Sequence, residues 1–340
     1  MKNFFCCVCN QTISCEQVSN EHVIPNALGG RIISKQILCK KHNSFFGDTL
    51  DKDFINIFAG FSRRMDLSTD RKTCDRIEGR HVDLGVEIVF KDNKVFPVKP
   101  YYDPSTKTLY CQDEETKEQY LKKLLKDGHD ISAIHFRDDL SGMFLIDFKL
   151  DNEIFKKGFG KIAVNYAVFC GLENFSADHF YRNPPSESFL NIKLIPWLPD
   201  TSESLFEEDL DDVMHVLTLR NDPWNKILYC YVELFSTFKH VVLLAENWSE
   251  DIFYSYCFNL TKNKQITLEE YFLNFPNFQN FEDILKLVGN FKKRNLSELN
   301  EEVSENISTL KNYCHMLYYK LDGRIRKMVI ERKLKLLKTT

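Results

Sequence analysis

Apolar and polar positions change their spacing several times along the chain, and each change marks an element. Val82, Leu84, Val86, Ile88 and Phe90 alternate with Asp83, Gly85 and Glu87, the period of a half-buried strand. Further strands are expected at 94–99, at 108–112 after the Asp103-Pro104 turn, and at 143–150. Residues 114–126 have helical spacing, with Tyr120, Leu121, Leu124 and Leu125 inward. A wider apolar face on 155–172, built from Phe159, Ile162, Ala163, Tyr166, Ala167, Phe169 and Cys170, predicts a helix buried against a sheet. Strands resume at 213–219, 227–235, 240–245 and 252–259, close enough to form an antiparallel meander. Residues 281–291 and 296–337 return to helical spacing, with one stripe through Ile307, Leu310, Cys314, Leu317, Leu321, Ile325 and Met328. Strands met in groups, with helices between and after them, predict an α+β fold.

Charge divides the chain further. Residues 60–80 are charged and polar and read as a connector, whose arginines could equally follow a phosphate backbone. Seven acids between Asp200 and Asp212, with no basic residue among them, read as a solvated segment. From Lys311 onward nine Lys and Arg stand against Asp322 and Glu331, a basic helix suited to solvent, to DNA backbone or to self-association into a homo-oligomer. The formal net charge of -4 gives no global pull toward nucleic acid, so any such contact must be local. Residues 1–80 carry twelve Lys and Arg against nine Asp and Glu.

Cysteines such as Cys170, Cys230 and Cys257 sit in apolar runs and read as buried thiols of a reducing compartment. No basic-then-apolar leader opens the chain and no apolar run is long enough to span a bilayer, so a soluble, cytoplasmic protein without a membrane partner is expected.

The richest chemistry lies in the first fifty residues. Cys6 and Cys9 form a C-x2-C pair, and Cys39 with His42 forms C-x2-H about thirty residues later. Two such knuckles supply the four ligands that a structural zinc ion needs for tetrahedral closure. Cys7 and Cys15 lie close enough to compete, but Cys6 with Cys9 has the usual gap. Between the knuckles, Glu21-His22-Val23-Ile24-Pro25 predicts a short strand ending near His22. Gly29-Gly30 can turn the chain into a second strand at 31–36. A helix follows at 39–54, with Phe46, Leu50 and Phe54 on one face.

These residues, taken together, resemble a known family. The run C-x2-C, E-H-x-I-P-x-x-L-G-G, then L-C-x-x-H-N-x-x-x-G-x-x-x-D is similar to the HNH endonucleases, in the branch with Asn after the last zinc ligand and Gly and Asp further along the helix, here Asn43, Gly47 and Asp51. The resemblance covers about residues 4–55. It implies a zinc-stapled ββα-metal module that hydrolyses phosphodiester bonds, with His22 as general base. Glu21 and Asn43 would hold one catalytic Mg2+ or Mn2+, and Asp51 would stand behind them or on the helix surface. A base and a divalent cation are what phosphodiester hydrolysis requires, and carboxylate and amide oxygens suit a hard cation. DNA is the implied substrate, with RNA left open, and appended regions in similar proteins imply restriction or anti-phage defence.

Two positions depart from the family pattern. Ser34 stands near the family's middle Asn, so Ser34 or a backbone carbonyl must orient the imidazole, and His42 stands where the family more often has Cys. Ser34, and Asn43 in place of a more widespread His, would favour the alternative of a non-catalytic zinc finger that binds nucleic acid. The run K-I-A-x-N-Y-A at 161–167 also looks like a segment that follows the module in this family. Lys161 and Asn165 could face a ligand, and the simpler reading is a core helix with two polar positions. The expected organisation is a nuclease module at 1–58, a connector at 59–80, a mixed, largely antiparallel domain at 81–275 and a helical, basic region at 276–340.

Overall fold

A computed structural model describes residues 4–9, 11–65, 67, 77–91, 94–142, 144–146, 152–172, 194–196, 212–224, 226–273 and, near the C-terminus, 321, 323–325 and 328. Its contacts divide into one unit of Met1–Ile55 with Asp151–Thr340 and a second of Asn56–Leu150. The fold is α+β, with the cysteine-rich module first and sheet-rich structure after it.

The module opens with two short antiparallel ribbons. Strand β1 (Phe4–Cys6) pairs with β2 (Gln11–Ile13), and β3 (Glu21–His22) pairs with β4 (Ile33–Ser34) in the register Glu21 with Ser34 and His22 with Ile33. The second strand is therefore two residues long, shorter than the spacing at 31–36 predicts. Both glycines between β3 and β4 are required, for different reasons. Gly29 ends the turn Asn26–Leu28 at φ 89°, a left-handed conformation that costs glycine little. Gly30 has no such angle, but a Cβ there would lie 1.8 Å from the Ile24 carbonyl oxygen, so the turn closes only around a hydrogen.

Helix α1 (Lys40–Phe46) follows, then a π-helical turn (Gly47–Asp51), then α2 (Lys52–Arg64). Phe46, Leu50 and Phe54 are buried, as their spacing predicts. The helix runs ten residues past the expected end at 54, into the stretch read as a connector, because Phe58 and Ser62 are buried and extend the face. Most of the rest of that connector lies outside the described residues.

The unit Asn56–Leu150 holds β5 (Ile77–His81), β6 (Glu87–Lys91), β7 (Lys94–Pro97), β8 (Tyr101–Asp103), β9 (Thr108–Tyr110), α3 (Glu114–Lys126), β10 (His135–Arg137) and β11 (Phe144–Ile146). They form an antiparallel sheet ordered β11-β5-β6-β7 and a smaller sheet ordered β10-β9-β8, whose β10–β9 pair is parallel. The alternation from Val82 to Phe90 predicts one strand, whereas the structure makes a turn at its start. His81 Nδ1 accepts the Leu84 N–H, the His81 carbonyl accepts the Gly85 N–H, and Gly85 takes φ 63°. Ile88, Val95 and Leu140 form the core of this unit. Helix α3 has the predicted bounds, capped by the Asp113 carboxylate on the Thr116 N–H, and buries Leu124, while Leu125 points to solvent.

The larger unit continues with α4 (Asn152–Phe169), β12 (Leu194–Pro196), β13 (Met214–Asp222), β14 (Ile227–Leu234), β15 (Phe238–Glu246), β16 (Phe253–Asn259), β17 (Lys264–Ile266) and α5 (Leu268–Phe272). The strands form one antiparallel sheet ordered β12-β15-β14-β13-β16-β17. The expected meander holds for β13 to β15. Strand β16 then returns to the far side of β13, because β12 already occupies the other edge of β15. Met214, Val216, Tyr229, Tyr231, Val241, Leu268 and Tyr271 share one core cluster in this layer, and α5 is held by a Thr267–Glu270 capping box.

Helix α4 packs against β13, β14 and β15 and is buried almost all round, through Phe159, Ile162, Ala163, Val164, Tyr166, Ala167 and Val168. Gly158 lets the module close on it, since a Cβ there would lie 2.0 Å from the Phe54 ring. A second tie is His215 on β13. Its Nδ1 accepts the Phe235 N–H, so Nε2 carries the proton and donates to the Leu28 carbonyl at 2.7 Å.

The acidic stretch 200–212 lies outside the described residues except Asp212, which accepts from Asn259 and Lys262. Of the basic C-terminal region, the described residues are helical, with Leu321, Ile325 and Met328 buried. Arg324 donates to the Ser236 carbonyl, and the remainder of the stripe lies outside the described residues. Among the described residues no helix is long and apolar enough to cross a membrane.

Candidate metal centre and active site

Cys6 ends β1, Cys9 follows in the turn after it, Cys39 precedes α1 and His42 lies in its first turn. Their ligand atoms all lie within 4.8 Å of one another. His42 Nδ1 is 3.4 Å from Cys6 Sγ and 3.3 Å from Cys39 Sγ. A tetrahedral zinc with bonds of about 2.3 Å to sulfur and 2.0 Å to nitrogen would give such an edge of about 3.5 Å. Burial, together with Cys6 and Cys39, pushes the Cys9 thiol up to about 12, so a dication is what lets these sulfurs ionise. The cluster is thus a site for a structural zinc. Cys7 is buried apart from the four, and Cys15 is exposed.

The staple does more than close the module. The Cys7 N–H donates to the Ile37 carbonyl, and Val18 bridges to Cys39, so the first ribbon and the start of α1 are held together. Asn43 follows His42 directly, and its backbone N–H bonds back to the Cys39 carbonyl. Its side-chain Nδ2 donates to Ser19 Oγ at 2.5 Å and to the Asn20 carbonyl at 3.3 Å. Among the described residues no partner is seen for its amide oxygen, Oδ1.

Glu21 and His22 are adjacent and together make up β3. His22 is half-buried and lies across from Ile33. Ser34 lies across from Glu21, and its hydroxyl accepts the Gln36 N–H at 3.1 Å. Glu21 is only 4% exposed, and its partners come from a distant helix. Lys161 Nζ lies 2.7 Å from Glu21 Oε1, and Asn165 Nδ2 lies 2.9 Å from the same oxygen. Lys161 also meets both oxygens of Asp51 at 2.8 Å, with its ammonium 5.3 Å from the centre of the Phe46 ring. Glu21, Asp51, Lys161 and Asn165 therefore form one constellation, while Asn43 faces Ser19 and Asn20.

Its electrostatics follow from burial and pairing. Burial alone pulls the Lys161 ammonium down, but Asp51 and Glu21 outweigh it and hold it above the ordinary lysine range. Burial pushes the Glu21 carboxyl up, and Lys161 and Asn165 offset this in part. With all three groups ionised, two carboxylates face one ammonium, leaving one negative charge to the group.

Lys161 and Asn165 are the residues that sequence reasoning undervalued. The signal was present: a lysine and an asparagine one turn apart within the otherwise apolar stretch Phe159–Phe169 cannot be buried without partners.

Residues 6–59 match the family model described as HNH endonuclease. No curated protein and no solved structure matches the chain. The matched segment begins at the first zinc ligand and ends inside α2, spanning both knuckles, β3, β4 and Asn43. Residues 6–59 of this chain are thus similar to an HNH endonuclease module and carry a Cys3His cluster suited to a structural zinc.

Proposed function

We propose that the protein is a metal-dependent endonuclease that hydrolyses DNA phosphodiester bonds, with His22 as general base and Glu21 and Asn43 toward a catalytic Mg2+ or Mn2+. The observation that carries this reading is that, among the described residues, both cation residues are gripped at one end only. Asn43 is committed through Nδ2, and Glu21 is engaged by Lys161 and Asn165 through Oε1. Each retains a hard oxygen, Oδ1 or Oε2, of the kind such a cation takes. The cation would neutralise charge developing on the phosphate and leaving oxygen.

The protein's own part is positional. The zinc staple sets Asn43 at the start of α1, and β3 carries His22 beside Glu21, where its imidazole takes a proton from the attacking water. Ser34 accepts the Gln36 N–H and keeps its own O–H to donate, so Ser34 or a backbone carbonyl is the group that orients the ring. A role in restriction or anti-phage defence, with the sheet-rich regions recognising or regulating, rests on the resemblance to proteins with similar appended regions.

Ser34 in place of the family's Asn, lying across from Glu21 and not from His22, favours a second reading, a zinc-stapled module that binds nucleic acid without cutting it. Incubation of the protein with supercoiled plasmid and a matching RNA, in Mg2+ or Mn2+ and in chelator, separates the two. Metal-dependent strand breaks in DNA support the nuclease, binding without breaks supports the module, and breaks confined to RNA would change the substrate.

A further inference from the structure

Among the described residues, helix α4 reaches the module through the polar side chains of Lys161 and Asn165, and both donate to Glu21 Oε1. Asn165 is fully buried and Lys161 is 5% exposed, so neither is a surface residue that happens to fall nearby. Burying a lysine is costly unless its donors are satisfied. Here they are, by Glu21 Oε1, by both Asp51 oxygens and by the face of Phe46. Asp51 reaches this position from the last residue of the π-helical turn, a local widening that recurs at functional sites. Asn165 Oδ1 is a buried acceptor with no hydrogen-bond partner among the described residues, beside the same carboxylate. A leftover acceptor there suits a water or a cation.

A pure core contact would have no need of this arrangement, because two apolar side chains would join α4 to β3 at lower desolvation cost. The asymmetry on Glu21 is the informative feature. Groups that orient a metal-binding carboxylate typically hold one oxygen and leave the other for the metal.

We propose that Lys161 and Asn165 are positioning residues of the nuclease centre, which hold Glu21 by Oε1, with Asp51 anchoring the ammonium, so that Oε2 is presented to the catalytic cation. The inference rests on the cation role of Glu21 proposed above. It makes the hydrolytic centre a composite of the module and a helix more than a hundred residues downstream.

The test is calorimetric titration of Mn2+ into the full-length, zinc-loaded protein, with zinc content and plasmid cleavage followed in parallel. Asn165→Ala and Lys161→Met are compared with Glu21→Gln. Both α4 variants should weaken Mn2+ binding about 10- to 100-fold, and raise the Mn2+ needed for half-maximal cleavage by the same factor, while zinc stays at one per chain. Asn165→Ala decides the matter if Lys161→Met fails to fold. Wild-type Mn2+ affinity in the α4 variants, with binding lost in Glu21→Gln, overturns the positioning role and leaves the cation reading intact. Wild-type affinity in Glu21→Gln removes the cation reading and this inference with it. Tighter Mn2+ binding in Lys161→Met would show an ammonium that competes with the cation, which also overturns the proposal.

Discussion

Lys161 and Glu21, 140 residues apart in the chain, meet at 2.7 Å with both side chains almost wholly buried. A charge pair in such a place is held by its geometry, and its members depend on each other more than on the rest of the core. Lys161→Met leaves Glu21 and Asp51 facing an apolar side chain and should cost about 3–5 kcal/mol of unfolding free energy. In a Glu21→Gln background the same substitution should cost less by at least about 1 kcal/mol, because one of the stranded charges is gone. Denaturant unfolding of the two single variants and the double variant measures the difference. Strict additivity would mean that the two side chains do not interact in solution.

The base assignment is tested by His22→Ala. Removal of a general base should lower the cleavage rate by about 10²- to 10⁴-fold, with zinc content and unfolding midpoint close to wild type. Undiminished cutting by this variant would refute the role. A rate loss accompanied by zinc loss would point to damage to the staple instead.

The metal cluster makes a compositional prediction. One zinc per chain should be found by elemental analysis, and Cys39→Ser should lose it, because three ligands without the second knuckle's thiolate no longer close a tetrahedron. A strong chelator should melt the β1–β2 ribbon and the start of α1 first. Hydrogen exchange would report this as lost protection at Cys7 and Asn43, whose N–H groups bond to Ile37 and Cys39. Full protection after chelation would show that the module does not need the ion.

Two histidines predict acid sensitivity, His215 buried in the sheet and His240 half-buried against aromatic rings. Desolvation lowers His215 to about 4 and His240 to about 3, from the ordinary imidazole value of about 6.5. The folded state therefore keeps both rings neutral where the unfolded chain protonates them, so their contribution is complete above about pH 6.5 and lost as pH falls. Between pH 7 and pH 5 each should remove about 2 kcal/mol of stability. His240 is packed against the Phe155 and Phe159 rings, so His240→Phe should remove about half of that slope. Urea unfolding across this range checks it, and an unchanged slope would count against a desolvated, neutral His240.

Much of the N-terminal module was legible without coordinates, because its constraints are local. Ligand pairs two residues apart, a Gly-Gly turn and a period-four apolar face each act within a few residues, and the cluster, the turn and the buried Phe46, Leu50 and Phe54 appear where they predict. Strands with flanking turns, such as β14 and β15, were equally local. The start of β6 was misread because an alternating pattern does not reveal a turn whose cause is the His81 ring accepting the Leu84 N–H.

What spacing along the chain could not determine was which distant groups the polar residues would face. The sequence by itself carried the zinc ligands, the α+β order and the apolar face of α4. Only the tertiary structure decided that Lys161 and Asn165 close on Glu21, that Asp51 turns toward them, and that β16 pairs with β13. The physical reason is that hydrophobic periodicity reports burial alone. The partner of a buried charge is chosen by desolvation and geometry once elements far apart in the chain have packed.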